Sequence, residues 1–317
     1  MVFTWKNTVP FLVVAVVMIV WLCQKAGEET VVFRRTFPVM GTVAQVTFYA
    51  PQMQAESAFA AVRAEFDSVV ALANLYDPES ELSRLNRSAY DMPFVCSSEL
   101  WAILSAAREA YQLSGGAFDI SAKPLMDLWG FYRKNVPGTL PAEEERLAAL
   151  NKVGLSKVLF DDPARSVRFT VPGMALDLGG AAKGYAVDRA AEAMKRHGIV
   201  SGVIDLGGNL YLAEPPPGQK FFSVGIRNAR DRQKVGSKVL QLKNTAVSTS
   251  GDYERFVVIG DKKYGHIMDP ATGLPCHQDF SVTVVAPGAL QADCLSTTYY
   301  LRPELPASLP GTEVIFQ

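Results

Sequence analysis

A strand-like run in the middle of this sequence ends at a carboxylate, and a bare glycine turn and a lysine follow it before a helix. These residues lie in LDLGGAAKGYAVDRAAEAM, Leu176 to Met194. Glycine lets a ligand approach the backbone closely, and amides at the start of a helix favour anions. Asp177 and Lys183 place an acid and a base six residues apart around the turn. The segment therefore predicts either a phosphate cradle or a tight turn whose small residues serve packing alone.

A second pair of polar residues lies one helical turn apart near the end of the sequence. In the predicted helix ALQADCLSTTYYL, Asp293 and Thr297 stand at i and i+4 and so share one face. A carboxylate and a hydroxyl placed in this way can bind one hard cation through oxygen. In the alternative interpretation, Thr297 bonds back to a helix carbonyl and Asp293 interacts with the helix dipole.

The elements that must position these groups mix strands and helices without a regular βαβ alternation. Apolar periodicity predicts a helix at residues 55–75. Further helices are predicted at residues 98–114, ended by two glycines, at the polar residues 140–151 and at residues 289–301. Alternating or β-branched runs predict strands within residues 31–50, 158–171, 202–212, 221–227, 238–242 and 281–286. Residues 76–86 are predicted to form a polar loop with a short helical turn, and residues 245–256 are small and polar. This mixture predicts an α+β fold with mixed or antiparallel sheets and packed helices.

The N-terminus has the composition of an export signal or a membrane anchor. Val9 to Cys23 is an apolar run of 15 residues after a segment whose only charged residue is Lys6. It is shorter than the roughly 20 residues of a typical spanning helix, although Trp5 and Trp21 could extend it to the interfaces. We favour an uncleaved anchor over a cleaved signal, a lipoprotein modified at Cys23 or a buried core helix. Residues 1–30 are therefore predicted to be the anchor and residues 31–317 one domain outside the cytoplasm.

The overall composition excludes several classes of protein. The 317 residues are 49% hydrophobic and 20% charged, with a formal net charge of -1, which is typical of a globular chain with an ample core. Without a basic excess, nucleic acid is not an expected partner. The four cysteines form no CxxC pair, so buried single thiols are favoured over a zinc site or a disulfide framework.

The motifs taken together resemble one known family. Their order is MGT, YDPESELSRLN, GAFDI, DLGGAAKGYAVD, IDLGGN, STSGDY, HIMDPATG and SVTVVAPGALQADCLST. This order is similar to that of the ApbE family, the FAD:protein FMN transferases, from about Phe37 to Phe316. The resemblance implies an ApbE-like, T-fold-like flavin transferase fold.

The resemblance also implies roles for individual residues. It implies a magnesium ion held by the side chains of Asp293 and Thr297 and by the backbone carbonyl of Gly180. The implied FAD contacts are Met40, Tyr76, Ala117, Phe118, Asp119, Asp177, Lys183 and Met268. Tyr76 and Phe118 suit stacking on a planar ring. Asp293 and His266 are the predicted catalytic residues, with His266 either a proton carrier or a structural histidine.

The implied reaction is transfer of FMN from FAD, in the presence of Mg²⁺, to a threonine or serine hydroxyl of an acceptor protein, with release of AMP. The implied acceptor is an exported subunit of a redox complex, and the implied location is the outer face of the cytoplasmic membrane. One alternative is an FAD pyrophosphatase, in which water replaces the acceptor hydroxyl. Another is an anchored protein that binds FAD without catalysis.

Overall fold

The computed structural model describes residues 29–132, 139–227, 235–251, 256–306 and 309–317. The predicted anchor therefore falls almost entirely outside the described residues. Among the helices that are described, none combines the length and the apolar character needed to cross a membrane.

Helices and strands both occur throughout the described chain. The helices are α1 Gln52–Ala73, α2 Glu81–Ser88, α3 Ser98–Leu113, α4 Lys123–Leu128, α5 Glu143–Leu150, α6 Ala182–Arg196 and α7 Ala289–Leu301. The first strands are β1 Thr30–Val39, β2 Thr42–Pro51, β3 Phe94–Val95, β4 Val158–Asp161, β5 Ser166–Phe169, β6 Gly202–Leu206, β7 Asn209–Leu212 and β8 Phe222–Arg227. The remaining strands are β9 Val235–Leu242, β10 Thr245–Ser250, β11 Phe256–Ile259, β12 Lys262–Gly265, β13 Met268–Asp269, β14 Leu274–Pro275, β15 Val282–Ala286 and β16 Glu313–Phe316.

A seven-stranded antiparallel sheet forms the centre of the molecule. Its strand order is β1-β2-β6-β7-β10-β15-β16. Met40 and Gly41 join β1 to β2 with φ angles of 50° and 72°, and Val39 pairs with Thr42. Positive φ at both central residues is the mark of a type I′ hairpin turn, whose twist matches that of the strands. The antiparallel central sheet and the helices α1 to α7 confirm the predicted α+β class.

Three helices cover one face of this sheet. Helix α1 buries Ala55, Ala58, Val62, Phe66 and Val69, which follow the helical spacing expected of a helix with one buried face. Helix α6 packs between α1 and α7, and α7 lies against β10 and β15. This arrangement brings the N-terminal turn of α6 beside the middle of α7.

Smaller sheets accompany the main sheet, and helices α2 and α3 share its apolar core. Strands β3, β5 and β4 form a three-stranded sheet, and the hairpins β11-β12 and β13-β14 are separate two-stranded pairs. Trp129 is 2% exposed at the centre of an apolar cluster that includes Leu125, Met126 and Met268. Its indole Nε1 donates to the carbonyl of Gly273 at 3.1 Å, which fixes the loop of the β13-β14 hairpin.

Two segments are more regular than their sequences suggested. Within residues 76–86, Ser80 accepts a hydrogen bond from Ser83 N at 3.1 Å and so caps α2, which extends beyond the expected short turn. The small, polar segment 245–256 begins with β10, whose Ala246, Val247 and Ser248 are buried between β7 and β15. Small residues suit this strand because α7 packs directly against it.

Candidate functional site

The glycine turn is held in place by a side chain from α2. The Asn86 amide donates to the carbonyl of Leu176 at 2.9 Å and accepts from the amide of Leu176 at 2.7 Å. Next to it, the amide of Asp177 donates to the carbonyl of Ile120 at 2.7 Å. The segment before the turn belongs to no sheet, so these bonds replace the pairing that a neighbouring strand would supply.

The Asp177 carboxylate joins the turn to an aromatic pair. Its Oδ1 accepts from the amide of Gly179 at 2.7 Å, and its Oδ2 accepts from the Tyr132 hydroxyl. The Tyr132 ring meets the Tyr76 ring edge to face, with centroids 6.3 Å apart, and the Lys123 ammonium lies 5.1 Å from the Tyr132 centroid. The sequence did not single out Tyr132, yet it connects two predicted FAD contacts, Tyr76 and Asp177.

Most amides of the turn are already used within the protein. The amides of Ala181 and Ala182 donate to the carbonyl of Leu178 at 2.9 and 2.7 Å. The amide of Gly179 donates to Asp177, and that of Gly184 donates to Asp293 Oδ2 at 2.9 Å. These four amides therefore already have acceptors within the protein. The turn suits a ligand because its side chains are small, and not because it presents a row of free donors.

Helices α6 and α7 cross in close contact at Gly184. A Cβ at this position would lie 2.7 Å from Asp293 Cβ and would clash with the backbone carbonyl of Ala289. Glycine is therefore required for the two backbones to approach each other. Because of this approach, Asp293 lies beside the first turn of α6.

Asp293 is a buried carboxylate within a polar network. It is 3% exposed, and Ser248 Oγ and Lys183 Nζ lie 3.4 and 3.8 Å from its Oδ1. With its amide turned so that both ends are satisfied, Asn209 accepts from Lys183 Nζ at 2.6 Å and donates to Ser248 Oγ at 2.6 Å and Asp293 Oδ1 at 3.1 Å. A buried charge requires such compensation, which Lys183 and the surrounding donors supply.

The Thr297 hydroxyl faces the turn and a cluster of serines. Thr297 Oγ1 lies 3.0 Å from Ser250 Oγ, which is 2.8 Å from Ser296 Oγ. Its two neighbours, Ser296 and Thr298, bond back to helix carbonyls, those of Asp293 and Cys294, at 2.9 Å each. A Cβ on Gly180 would lie 3.7 Å from Thr297 Oγ1, so the turn and α7 meet at this hydroxyl.

Comparison with known proteins identifies the family of the chain. The family model described as the ApbE family matches residues 40–308. The chain belongs to the ApbE family. A protein named FAD:protein FMN transferase from Klebsiella pneumoniae is 31% identical over 272 residues, which cover 84% of this chain and 77% of that relative. One of the same name from Treponema pallidum is 32% identical over 309 residues, or 90% and 84% of the two chains.

Solved ApbE structures share the fold. The ApbE protein from Thermotoga maritima superposes with a TM-score of 0.83 at 28% identity, covering 90% of this chain and 94% of that chain. The flavin transferase ApbE from Vibrio cholerae gives a TM-score of 0.77 at 23% identity and supports the fold alone.

The residues of the GAFDI motif lie under the glycine turn of this ApbE chain. Phe118 is 3% exposed, and its ring would be 3.2 Å from a Cβ on Gly180, so it supports the turn from the core instead of presenting an open stacking face. Ala117 precedes it and is half-buried. Asp119 accepts from the amides of Ser121 at 2.8 Å and Leu155 at 3.0 Å, and burial raises the pKa of this carboxyl.

The other predicted residues lie on separate elements of the described chain. Met40 occupies the β1-β2 hairpin turn and packs partly against the main core. Met268 is 5% exposed in the Trp129 cluster, and the half-buried His266 lies between β12 and β13. Tyr76 is 62% exposed, which leaves its ring available for stacking. The structure thus brings Gly180, Lys183, Asp293 and Thr297 together around the glycine turn, with Asp177 at the start of the same turn.

Several residues of the site were not predicted from sequence. Those that support the turn, α7 or Asp293 are Asn86, Tyr132, Gly184, Asp188, Asn209, Ser248 and Ser250. All except Tyr132 lie inside or directly beside the motifs that carried the family resemblance. For Gly184 and Asp188 the sequence did contain a signal, namely their i, i+4 spacing. This spacing puts a residue without a side chain and a carboxylate on one helix face.

Proposed function

We propose that this protein transfers FMN from FAD to a threonine or serine hydroxyl of an acceptor protein, in a reaction that requires Mg²⁺ and releases AMP. The observation that carries the proposal is the meeting of Asp293 and Thr297 of α7 with the bare turn at Gly180 and with Lys183. The relatives named FAD:protein FMN transferase support the same reaction.

The residues around Asp293 fit a magnesium ion. One buried carboxylate, the Thr297 hydroxyl and the nearby main chain of Gly180 form an all-oxygen donor set, which suits a hard cation that also binds substrate phosphates. Asp293, Thr297 and the carbonyl of Gly180 would hold the ion. When bound, Mg²⁺ would supply neutralisation of the charge on the pyrophosphate and on the departing AMP.

The protein groups then have distinct tasks. Lys183, which is 28% exposed, supplies positive charge to the pyrophosphate from the side of Asn209. The glycine turn would admit the phosphates because residues 179–182 carry no side chain larger than a methyl group. Asp177, fixed by Tyr132 and the amide of Gly179, forms a polar wall of the FAD site. The Tyr76 ring provides an exposed aromatic surface for a planar ring.

The transfer step is a substitution at the FMN-side phosphorus. The acceptor hydroxyl oxygen forms a bond to that phosphorus, the bond to the oxygen of AMP breaks, and the hydroxyl proton passes to a base. His266 is our candidate for this base, and its replacement by glutamine is the direct test. If the variant transfers FMN at the wild-type rate across the pH range, His266 is not the base.

We further propose that the acceptor is an exported subunit of a redox complex and that residues 1–30 anchor this protein at the outer face of the cytoplasmic membrane. The apolar run from Val9 to Cys23 supports the anchor. The full chain should sediment with membranes and be accessible to protease from outside the cytoplasm. Sedimentation with the soluble fraction, or protection from external protease, would contradict this location.

One assay separates the proposed reaction from its two alternatives. The protein is incubated with FAD, MgCl₂ and a candidate acceptor, and AMP, free FMN and flavin fluorescence on a denaturing gel are measured. AMP together with a fluorescent acceptor band supports transfer. Free FMN and AMP without a labelled acceptor would instead support a pyrophosphatase, and bound FAD without AMP would support simple binding.

A further inference from the structure

Helix α7, which carries Asp293 and Thr297, is capped by a residue from another helix. Its own N-cap position is Gly288, which has no side chain to accept a hydrogen bond. The Asp188 carboxylate of α6 accepts from the amide of Ala289 at 2.6 Å and from that of Leu290 at 2.9 Å. Free amides at a helix start are normally capped locally, so this cap ties the start of α7 to a specific point on α6.

A second, reciprocal link lies one turn away on both helices. Asp293 of α7 accepts from the amide of Gly184 of α6 at 2.9 Å. Gly184 and Asp188 are four residues apart on α6, and Ala289 and Asp293 are four residues apart on α7. Each helix therefore gives a carboxylate to the first turn of the other, across a contact that has no room for a Cβ at Gly184.

This double link fixes the position of α7 along its own axis. A shift by one residue moves a helix by about 1.5 Å and rotates its side chains by about 100°. Such a shift would separate Asp188 from both amides and would turn Asp293 and Thr297 away from Gly180. The placement of the two predicted metal-binding side chains therefore depends on a carboxylate that does not touch them.

We propose that Asp188 is a positioning residue of the transfer site, which sets the register of α7 and thereby the affinity of Asp293 and Thr297 for Mg²⁺. This inference rests on the proposed function. Residues that orient metal ligands typically change metal affinity or activity by about 10–100-fold when replaced. Asp188 acts in the same way through the helix backbone.

The test compares the loss of the link with the loss of a cap alone. Asp188→Ala removes both hydrogen bonds to α7. Adding Gly288→Asp to that variant restores a cap from within α7, because Gly288 has φ -122° and ψ 149°, which any residue can adopt. The nearest atoms to a Cβ at Gly288 are those of the Asp188 carboxylate, 3.4 Å away, so its removal leaves space. Ser97→Ala, which uncaps α3 by removing the acceptor for Leu100 N, is the matched control.

Each variant is assayed in three ways with the full-length protein. Calorimetric titration with MgCl₂ in the presence of FAD gives metal affinity, thermal melting gives Tm, and AMP release gives kcat. We expect Asp188→Ala to lower both Tm and Mg²⁺ affinity, the latter by about tenfold or more. We expect the double variant to have a Tm close to that of the wild type but a Mg²⁺ affinity as low as that of Asp188→Ala. We expect Ser97→Ala to have a lower Tm and the Mg²⁺ affinity of the wild type.

Three results would overturn the proposal: wild-type Mg²⁺ affinity in Asp188→Ala, full recovery of affinity in the double variant, or an equal loss of affinity in Ser97→Ala. If Asp188→Ala does not fold, Asp188→Asn, which keeps one acceptor oxygen, is measured against the same criteria. Failure of the proposed function is distinguishable, because the wild-type protein given FAD, MgCl₂ and an acceptor would then label no acceptor protein.

Discussion

The Asp293 carboxylate lies 3% exposed among groups that donate to it or carry positive charge. Gly184 donates to one oxygen, while Ser248 and Lys183 lie beside the other. Burial of a carboxylate destabilises its charged form unless partners compensate. A charge maintained here therefore suits a role that needs negative charge, and binding of a cation is such a role.

Replacement of Asp293 by asparagine tests that role with little change in shape. The amide oxygen can still accept from Gly184, whereas the negative charge that would hold Mg²⁺ is lost. We expect AMP release to fall by more than about 100-fold, since a bound metal contributes several kcal/mol of charge stabilisation. We expect Tm to stay within a few degrees of wild type. Asp279→Asn, at a side chain that is 83% exposed, is the control, and an active Asp293→Asn would refute the metal assignment.

Tyr132 supports a narrower prediction about FAD binding. Tyr132→Phe keeps the ring beside Tyr76 but removes the hydroxyl that donates to Asp177. A hydrogen bond to a charged group contributes about 1.5–3 kcal/mol, so we expect the Kd for FAD to rise by about tenfold or more. Fluorescence titration with FAD measures the change, and Tyr90→Phe, at a tyrosine that is 43% exposed, serves as control. An unchanged Kd would show that the Tyr132–Asp177 contact does not shape the FAD site.

At the scale of elements, the crossing of α6 and α7 depends on Gly184. An added methyl group would meet Ala289 and Asp293, and neither the backbone of α7 nor the buried Asp293 can move without disturbing the site. Overpacking of this kind typically costs about 1–3 kcal/mol. We therefore expect Gly184→Ala to lower both Tm and AMP release, as seen by calorimetry and nucleotide analysis.

Gly288→Ala is the matched control for that substitution. It adds the same methyl group at the start of α7, where the nearest atom is the Asp188 carboxylate at the ordinary contact distance of 3.4 Å. Equal losses of stability and activity in the two variants would show that the effect of Gly184→Ala does not come from the close approach of α6 and α7.

The elements show how far the sequence could predict the fold. Helix α7 begins and ends as expected, at Ala289 and Leu301, because Pro287 and Gly288 before it and Pro303 after it are local signals for helix ends. The strand β10 was not predicted, because its small polar residues become a strand only between β7 and β15 and beneath α7. Likewise, Asp293 and Thr297 could be paired by spacing, but the Asp188 cap depends on a contact between helices that the sequence does not describe.

At the scale of the whole molecule, the reactivity of the cysteine thiols depends on how well the core excludes solvent. Cys96 and Cys294 are buried, and Cys276 is half-buried, in agreement with the expected single thiols. Burial raises the pKa of Cys96 to about 12 and raises that of Cys294 as well. Because the thiolate is the reactive form, neither residue should react at neutral pH in the folded state.

The corresponding prediction concerns alkylation of these three positions. Native protein treated with iodoacetamide at pH 8 should be labelled at Cys276 well before Cys96 or Cys294, as measured by peptide mapping. In denaturant all three should react at similar rates, which serves as the control. Early labelling of Cys294 in the native protein would show that α7 is less tightly packed against the sheet than described.

The Asn86–Leu176 bonds have a consequence for local unfolding. The Asn86 side chain on α2 holds both backbone groups of Leu176, and no sheet shares that task. The amide of Leu176 should therefore lose its protection from hydrogen exchange when α2 undocks, while amides of β10 and β15 stay protected until global unfolding. Native-state exchange should show this difference, and Asn86→Ala should enlarge it, because the amide of Leu176 then loses its acceptor and exchanges without undocking of α2. The wall of the proposed FAD site would then open as a separate cooperative unit, with a free energy set by α2 and not by the sheet.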